Sequence, residues 1–206
     1  MATSLTKTGP NYDPDLIDFA KEGAVFVAPV GTVEPTGLAA YADPFVDLGY
    51  LSTDGIEESL DEEKGDVEVW QAGGKVKEWI KSRTFTFGFT MMARSIDTVS
   101  VFYGIPKDQF TLVPEGTDPA TPAYYEWTDG GAPALDERFF GIDYITGAGT
   151  GHDRILIPRG TFSERGSITL NRDDTIRLEG QITAQVSAQG WSIKRRSSGL
   201  VVPTTP

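Results

Sequence analysis

The 206-residue sequence contains no cysteine, which removes disulfides, thiolate nucleophiles and thiolate metal sites together and fits a chain made in a reducing cytosol. Its one histidine, His152, rules out a His-pair metal site and a conventional triad with a histidine to spare, and it reads as an ordinary loop residue. No apolar run approaches membrane-spanning length, and the N-terminus lacks the basic-then-apolar order of a signal segment. A soluble, unsecreted protein without a membrane partner is expected. Cations are scarce as well: 18 Lys and Arg against 30 Asp and Glu leave a formal charge of −12. Direct, sequence-reading contact with nucleic acid needs clustered Lys and Arg, so that function class is disfavoured.

What is present is best ordered between residues 79 and 104. From Arg83 to Met91 the chain alternates, with Phe85, Phe87, Phe89 and Met91 on one side and Thr84, Thr86, Gly88 and Thr90 on the other. That is the period of a half-buried strand. At Ser95 the pattern changes: Ser is a good N-cap, Asp97 stands in the first turn, and Gly104 suits the end. The spacing predicts a short helix over 96–103, whose Ile96, Val99, Phe102 and Tyr103 form a stripe against the phenylalanine face. A second clear alternation sets Ile176, Leu178, Ile182, Ala184 and Val186 against Arg177, Glu179, Gln181, Thr183, Gln185 and Ser187. The predicted core is therefore Phe85, Phe87, Phe89, Phe102, Ile182 and Val186.

Composition divides the rest. Residues 1–23, rich in Thr, Ser, Pro, Asn and Asp, read as an N-terminal arm, 24–191 as a single domain, and 192–206, with Lys194, Arg195 and Arg196, as a flexible tail. Further strands are expected at 24–30, 45–51, 109–113, 135–145 and 154–157, with a hairpin of 161–170 and 175–187 closed by a polar turn at 171–174. Residues 53–74 read as a long acidic loop, with Glu57, Glu58, Asp61, Glu62, Glu63, Asp66 and Glu68 against a single Lys64 between 57 and 68. Excursions of that length are uncommon in a compact domain unless they serve a function. A Pro- and Gly-rich insertion at 114–133 surrounds Tyr124, Tyr125 and Trp127, which are expected to tuck onto the sheet. For chemistry there is little. The glycine-rich stretch 147–151 lacks the Lys and Ser/Thr of a phosphate loop and leads into a strand, so it is a plain turn. Carboxylates abound, but no pair stands out for glycoside hydrolysis. No enzyme activity, cofactor or metal is expected.

The order Asp47-Leu48-Gly49-Tyr50, then Ser52-Thr53-Asp54-Gly55-Ile56-Glu57-Glu58, then an acidic run into Val69-Trp70-Gln71, then the alternating strand and a helix stopping at Phe102-Tyr103-Gly104, resembles the major tail tube protein of long-tailed, siphovirus-like bacteriophages. The resemblance covers residues 45–104. It implies a mainly β (α+β) fold, a β-sandwich or partly closed barrel of the phage tail-tube type with one short flanking α-helix. It implies a structural virion protein of the phage tail, made in the host cytoplasm, whose hexameric rings stack into a tube that conducts the genome during ejection. Implied partners are further copies of the chain, the tape-measure, terminator and tip proteins of the tail, and genomic DNA passing through without specific binding.

On that reading Thr84, Thr86, Thr90, Glu179, Gln181, Thr183 and Gln185 face the lumen, where an acidic wall would repel phosphates. Ile56, Leu60, Glu62, Glu63, Val67, Val69 and Trp70 form a ring-stacking loop, mobile before assembly. Its carboxylates would meet Lys77, Lys81 and Arg83, or Lys194, Arg195 and Arg196, of a neighbour. The alternative from another class is a carbohydrate-binding β-sandwich with Tyr124, Tyr125 and Trp127 as the sugar platform.

Overall fold

The structure is a computed structural model that describes residues 16–71, 73–117, 120–130, 135–147 and 151–200. Its strands are β1 (Ala20–Pro29), β2 (Val46–Asp47), β3 (Leu51–Glu68), β4 (Lys75–Met91), β5 (Thr111–Val113), β6 (Gly116–Thr117), β7 (Ala120–Thr121), β8 (Tyr124–Glu126), β9 (Glu137–Thr146), β10 (Gly151–Ser163), β11 (Leu178–Ala184) and β12 (Lys194–Ser197). Among the described residues the single α-helix, α1, is Ile96–Tyr103, as the caps predict. Ser95 accepts from the Thr98 amide and Thr98 returns a bond to the Ser95 amide, while Gly104 closes the helix in the left-handed region at φ 69°.

Eight strands form one antiparallel sheet in the order β2-β1-β9-β10-β11-β4-β3, with β12 on β10. The sheet folds over on itself within β10. The first half of that strand pairs with β9 and β12, its end pairs with β11, and the register breaks between Ile157 and Gly160. One layer is then β1-β9-β10-β12, the other β10-β11-β4-β3, and the result is an open sandwich rather than a closed barrel. Val25, Val27, Phe140, Ile142 and Ile155 from the first layer meet Phe87, Phe89, Met91 and Ile182 from the second in one core, capped by Val101 and Phe102 of α1. Arg138 locks the helix in place: its guanidinium donates to the Ser100 carbonyl and hydroxyl at 3.1 and 2.7 Å and to Asp136 at 2.7 Å. A second, smaller core lies on the outside of β1 and β9, where Tyr41 and Phe45 of the 31–45 connection cover Ala28, Phe139 and Leu156.

Several expectations are corrected here. Val186 is 63 % exposed, because β11 ends at Ala184 and the alternation runs on in sequence after the strand has stopped. Phe85 is only partly buried, at the rim of the core. Residues 53–74 are not a loop: Leu51–Glu68 pairs with Lys75–Met91 as one long hairpin that turns at 69–74. Residues 194–197 are not a flexible tail but a strand, because Lys194 and Arg196 find Glu34 while Arg195 pairs Glu58. The expected hairpin at 161–187 forms only from Gly160–Ser163 and Gln181–Ala184, with a longer connection between. His152 is in β10 rather than a loop. The expected arm and tail lie outside the described residues for 1–15 and 201–206, as do 118–119 and 131–134 of the insertion and 148–150 of the glycine-rich turn.

Candidate functional site

Thr84, Thr86, Thr90, Glu179, Gln181 and Thr183 stand on one side of neighbouring strands. Register places Glu179 opposite Thr90, Gln181 opposite Gly88 and Thr183 opposite Thr86 between β11 and β4. On the other side of β4, Glu57, Ser59 and Asp61 stand opposite Gly88, Thr86 and Thr84. Ser163 of β10 continues the surface, its hydroxyl 2.8 Å from that of Thr183. Side chains alternate across a pleated strand, so this is the face opposite Phe87, Phe89 and Ile182, and those three are buried. Gln185 lies just past β11, its amide donating to the Arg159 carbonyl at 2.8 Å. Near the middle is a shallow concavity of about 310 Å³ lined by Asp54, Glu57, Glu164 and Glu179 with Gly88 and Gln181. None of the cross-strand positions just named holds a Lys or Arg, so the field above them is negative.

Beyond Phe85, β4 loses β11 as a neighbour and continues with β3 alone as a two-stranded ribbon. Opposite charges on its strands meet: Glu62 with Arg83, Glu63 with Lys81 at 3.0 Å, and Asp66 with Lys75 at 3.4 Å. Gly65 stands opposite Trp79, whose indole lies over the glycine. Leu60, Val67, Val69, Val76, Trp79 and Ile80 are nevertheless exposed, and Trp70 at the turn is 100 % exposed. Of the expected stacking residues, Ile56 belongs instead to the subunit itself, pairing with Phe89 and packing on the core. The expected intermolecular cations are mostly consumed as well. Lys81 and Arg83 pair within the ribbon, and Lys194, Arg195 and Arg196 pair within the subunit.

Sequence reading missed a buried polar cluster. Arg154, 1 % exposed, donates to both oxygens of Asp143 at 2.8 and 2.6 Å, and Asp143 also accepts from the Tyr41 hydroxyl at 2.9 Å and lies 2.8 Å from His152 Nε2. Burial would raise the Asp143 carboxyl, but the hydrogen bonds from Arg154, His152 and Tyr41 outweigh it and hold it below its ordinary value. Burial first, then the Asp143 charge, pushes the Tyr41 phenol up. The Arg154 guanidinium stacks over the Tyr41 ring at 4.2 Å and donates to the Ala39 carbonyl at 2.8 Å. Gly141 makes the arrangement possible, since a β-carbon there would stand 2.3 Å from the Tyr41 oxygen. With its carboxylate fully engaged, the cluster pins the 31–45 connection to the sheet. A hint was available in Arg154, an arginine directly at the head of the apolar run Ile155-Leu156-Ile157.

The small β5–β8 ribbon separates the aromatics that were to form a platform or tuck onto the sheet. Tyr124 and Tyr125 are adjacent in a strand and so point to opposite sides, and they are 51 % and 47 % exposed. Trp127 packs on Phe110 with ring centroids 5.1 Å apart.

No curated protein matches the chain. A family model described as phage tail tube protein matches residues 10–192.

Proposed function

The chain belongs to the phage tail tube protein family and is a structural component of the phage tail; from that premise we propose that six copies close into a ring and that rings stack into a tube conducting the genome. The observation that carries this reading is the polar face of β3, β4, β11 and β10, with carboxylates, hydroxyls and an amide but no cation among its paired positions. Its reverse side is the core, so of this layer's two faces it is the one free to turn toward a water-filled channel. Phosphates passing such a wall find nothing to hold them, which suits DNA that must slide without specific binding. Thr84, Thr86, Thr90, Glu179, Gln181, Thr183 and Gln185 would then look into the lumen.

The β3–β4 ribbon is the stacking element in this proposal. An isolated two-stranded ribbon is marginal in water, and this one exposes apolar side chains whose burial is worth roughly 1.5 to 3 kcal/mol each. A neighbouring ring supplies the missing cover. The body of the subunit, 24–191, acts as one domain with 1–23 as an arm, the tape-measure protein occupies the lumen before ejection, and terminator and tip proteins close the ends. Assembly takes place in the host cytoplasm without a membrane. Glycan binding by Tyr124 and Tyr125 has no comparable support, since they face apart.

Cryo-electron microscopy of tubes grown from purified protein tests the proposal. Six subunits per ring with Thr86 and Gln181 on the inner wall are expected. A wall with these residues outside, or protein that never forms rings or tubes, would overturn it.

A further inference from the structure

The sequence contains two Asp-Gly pairs, Asp54-Gly55 and Asp129-Gly130. Glycine after aspartate leaves the main-chain nitrogen unshielded by a β-carbon, so in both pairs that nitrogen can reach the side-chain carboxyl. The fold tells them apart. Asp54-Gly55 bulges from β3 between two ladder pairs, Leu51 with Met91 and Ile56 with Phe89, and the Asp54 carboxylate accepts from the Ser52 hydroxyl at 3.1 Å, turned back along the chain. Asp129 and Gly130 are exposed in the connection between β8 and β9, where no ladder holds them. The nearest anchors on either side are Trp127, packed on Phe110, and Asp136, bonded to Arg138. In between, the Gly130 amide donates to Asp129 Oδ1 at 2.7 Å, which keeps the carboxyl carbon beside the nitrogen that would attack it. Gly130 stands at φ 94°, and among the described residues no atom lies within 4 Å of the place a β-carbon would take.

We propose that Asp129-Gly130 is a site of spontaneous covalent modification, converting to an isoaspartyl link, while Asp54-Gly55 is protected by the fold. The Gly130 nitrogen bonds to the Asp129 side-chain carbon, and the nitrogen's proton leaves with the carboxyl's hydroxyl as water. A cyclic succinimide results. Water then opens the ring: attack at the side-chain carbonyl restores aspartate, whereas attack at the main-chain carbonyl breaks its bond to nitrogen and leaves the chain running through the side chain. No oxidant, reductant or enzyme is needed. Contact between the reacting groups favours the first step at Asp129, because groups held together react faster than the same groups in a freely moving chain. The isoaspartyl product carries a free carboxylate where the main-chain carbonyl stood, the group that carboxyl methyltransferases using S-adenosylmethionine recognise on aged proteins. Its extra backbone carbon falls in an exposed connection that carries no sheet ladder, so the subunit keeps its fold.

Ageing of the full chain in neutral buffer at 37 °C tests it. Trypsin cuts after Lys and Arg, so it places the two pairs in separate peptides, residues 22–64 and 108–138. Methyl transfer from labelled S-adenosylmethionine by an isoaspartyl methyltransferase then reads each peptide, and electron-transfer fragmentation locates the altered residue. The 108–138 peptide from folded protein is expected to gain label on the order of tenfold faster than the 22–64 peptide. Asp129→Glu, at an exposed position, is expected to fold and to abolish that label, since the larger ring closes far more slowly. Protein aged in urea supplies the reference, and there the two peptides are expected to label at similar rates. Equal labelling of both peptides in the folded protein, or faster labelling of 22–64, would overturn the assignment. So would a 108–138 peptide that labels in urea and stays unlabelled in the folded chain.

Discussion

The indole of Trp79 lies across Gly65, its partner on the facing strand, so closely that a β-carbon at position 65 would sit 2.6 Å from the ring. Gly65 is buried under that ring and the Lys81 side chain, in a ribbon otherwise open to water. Gly65→Val is therefore expected to displace the indole and loosen the ribbon by about 1 kcal/mol while leaving the melting temperature of the subunit nearly unchanged. Faster amide exchange confined to the distal parts of β3 and β4 is the signature to measure. Loss of the whole fold would show that the ribbon is part of the core.

Phe87 is fully buried between the two layers. Phe87→Ala is expected to cost roughly 3 to 5 kcal/mol through lost transfer energy and a cavity. Urea unfolding measures this, and an unchanged midpoint would contradict the placement of that face.

Asp143→Asn removes the charge that answers the buried Arg154. Leaving that guanidinium unanswered is expected to cost about 3 to 5 kcal/mol, somewhat less to the extent that water reaches the site. The acid side of the stability curve should also change. The folded carboxyl lies below its ordinary value of 3.8, so its contribution is complete above that value and is lost as pH falls through the lower folded one. The wild type is expected to lose stability in that window and the variant to lose less. Parallel curves for both proteins would deny Asp143 this role.

Glu179→Lys with Gln181→Lys puts cations on the polar face. Tubes are expected to form, but genome release through them slows, and the slowing fades as salt rises. Release at the wild-type rate at every ionic strength would place these side chains away from the lumen.

The helix was legible because its signals are local: Ser95 and Gly104 cap it wherever it packs. The alternation of Phe85 to Met91 with Thr84 to Thr90 was legible because one side is buried. The ribbon was not, because it has no buried face and so no apolar period. Its signal was of another kind, the mirrored order of Glu62, Glu63 and Asp66 against Lys75, Lys81 and Arg83 about a glycine turn. β12 was hidden for a related reason. Lys194 to Ser197 carries no apolar pattern, and the carboxylates that hold it, Glu34 and Glu58, are remote in sequence. The polar cluster joins Tyr41 to Asp143 and Arg154 through the fold alone. Val186 misled because alternation outlasts the strand.

The pairing of β4 with β11 over six residues has a mechanical meaning. A pull on the ribbon along its own axis reaches the body as shear on that ladder, which loads every rung together instead of opening them one after another. The Glu58–Arg195 pair ties the base of β3 across to β12, so part of the load is handed to the first layer. If rings are linked through such ribbons, as proposed, the filament is expected to be stiff in tension yet to flex sideways at each junction, where only two strands cross.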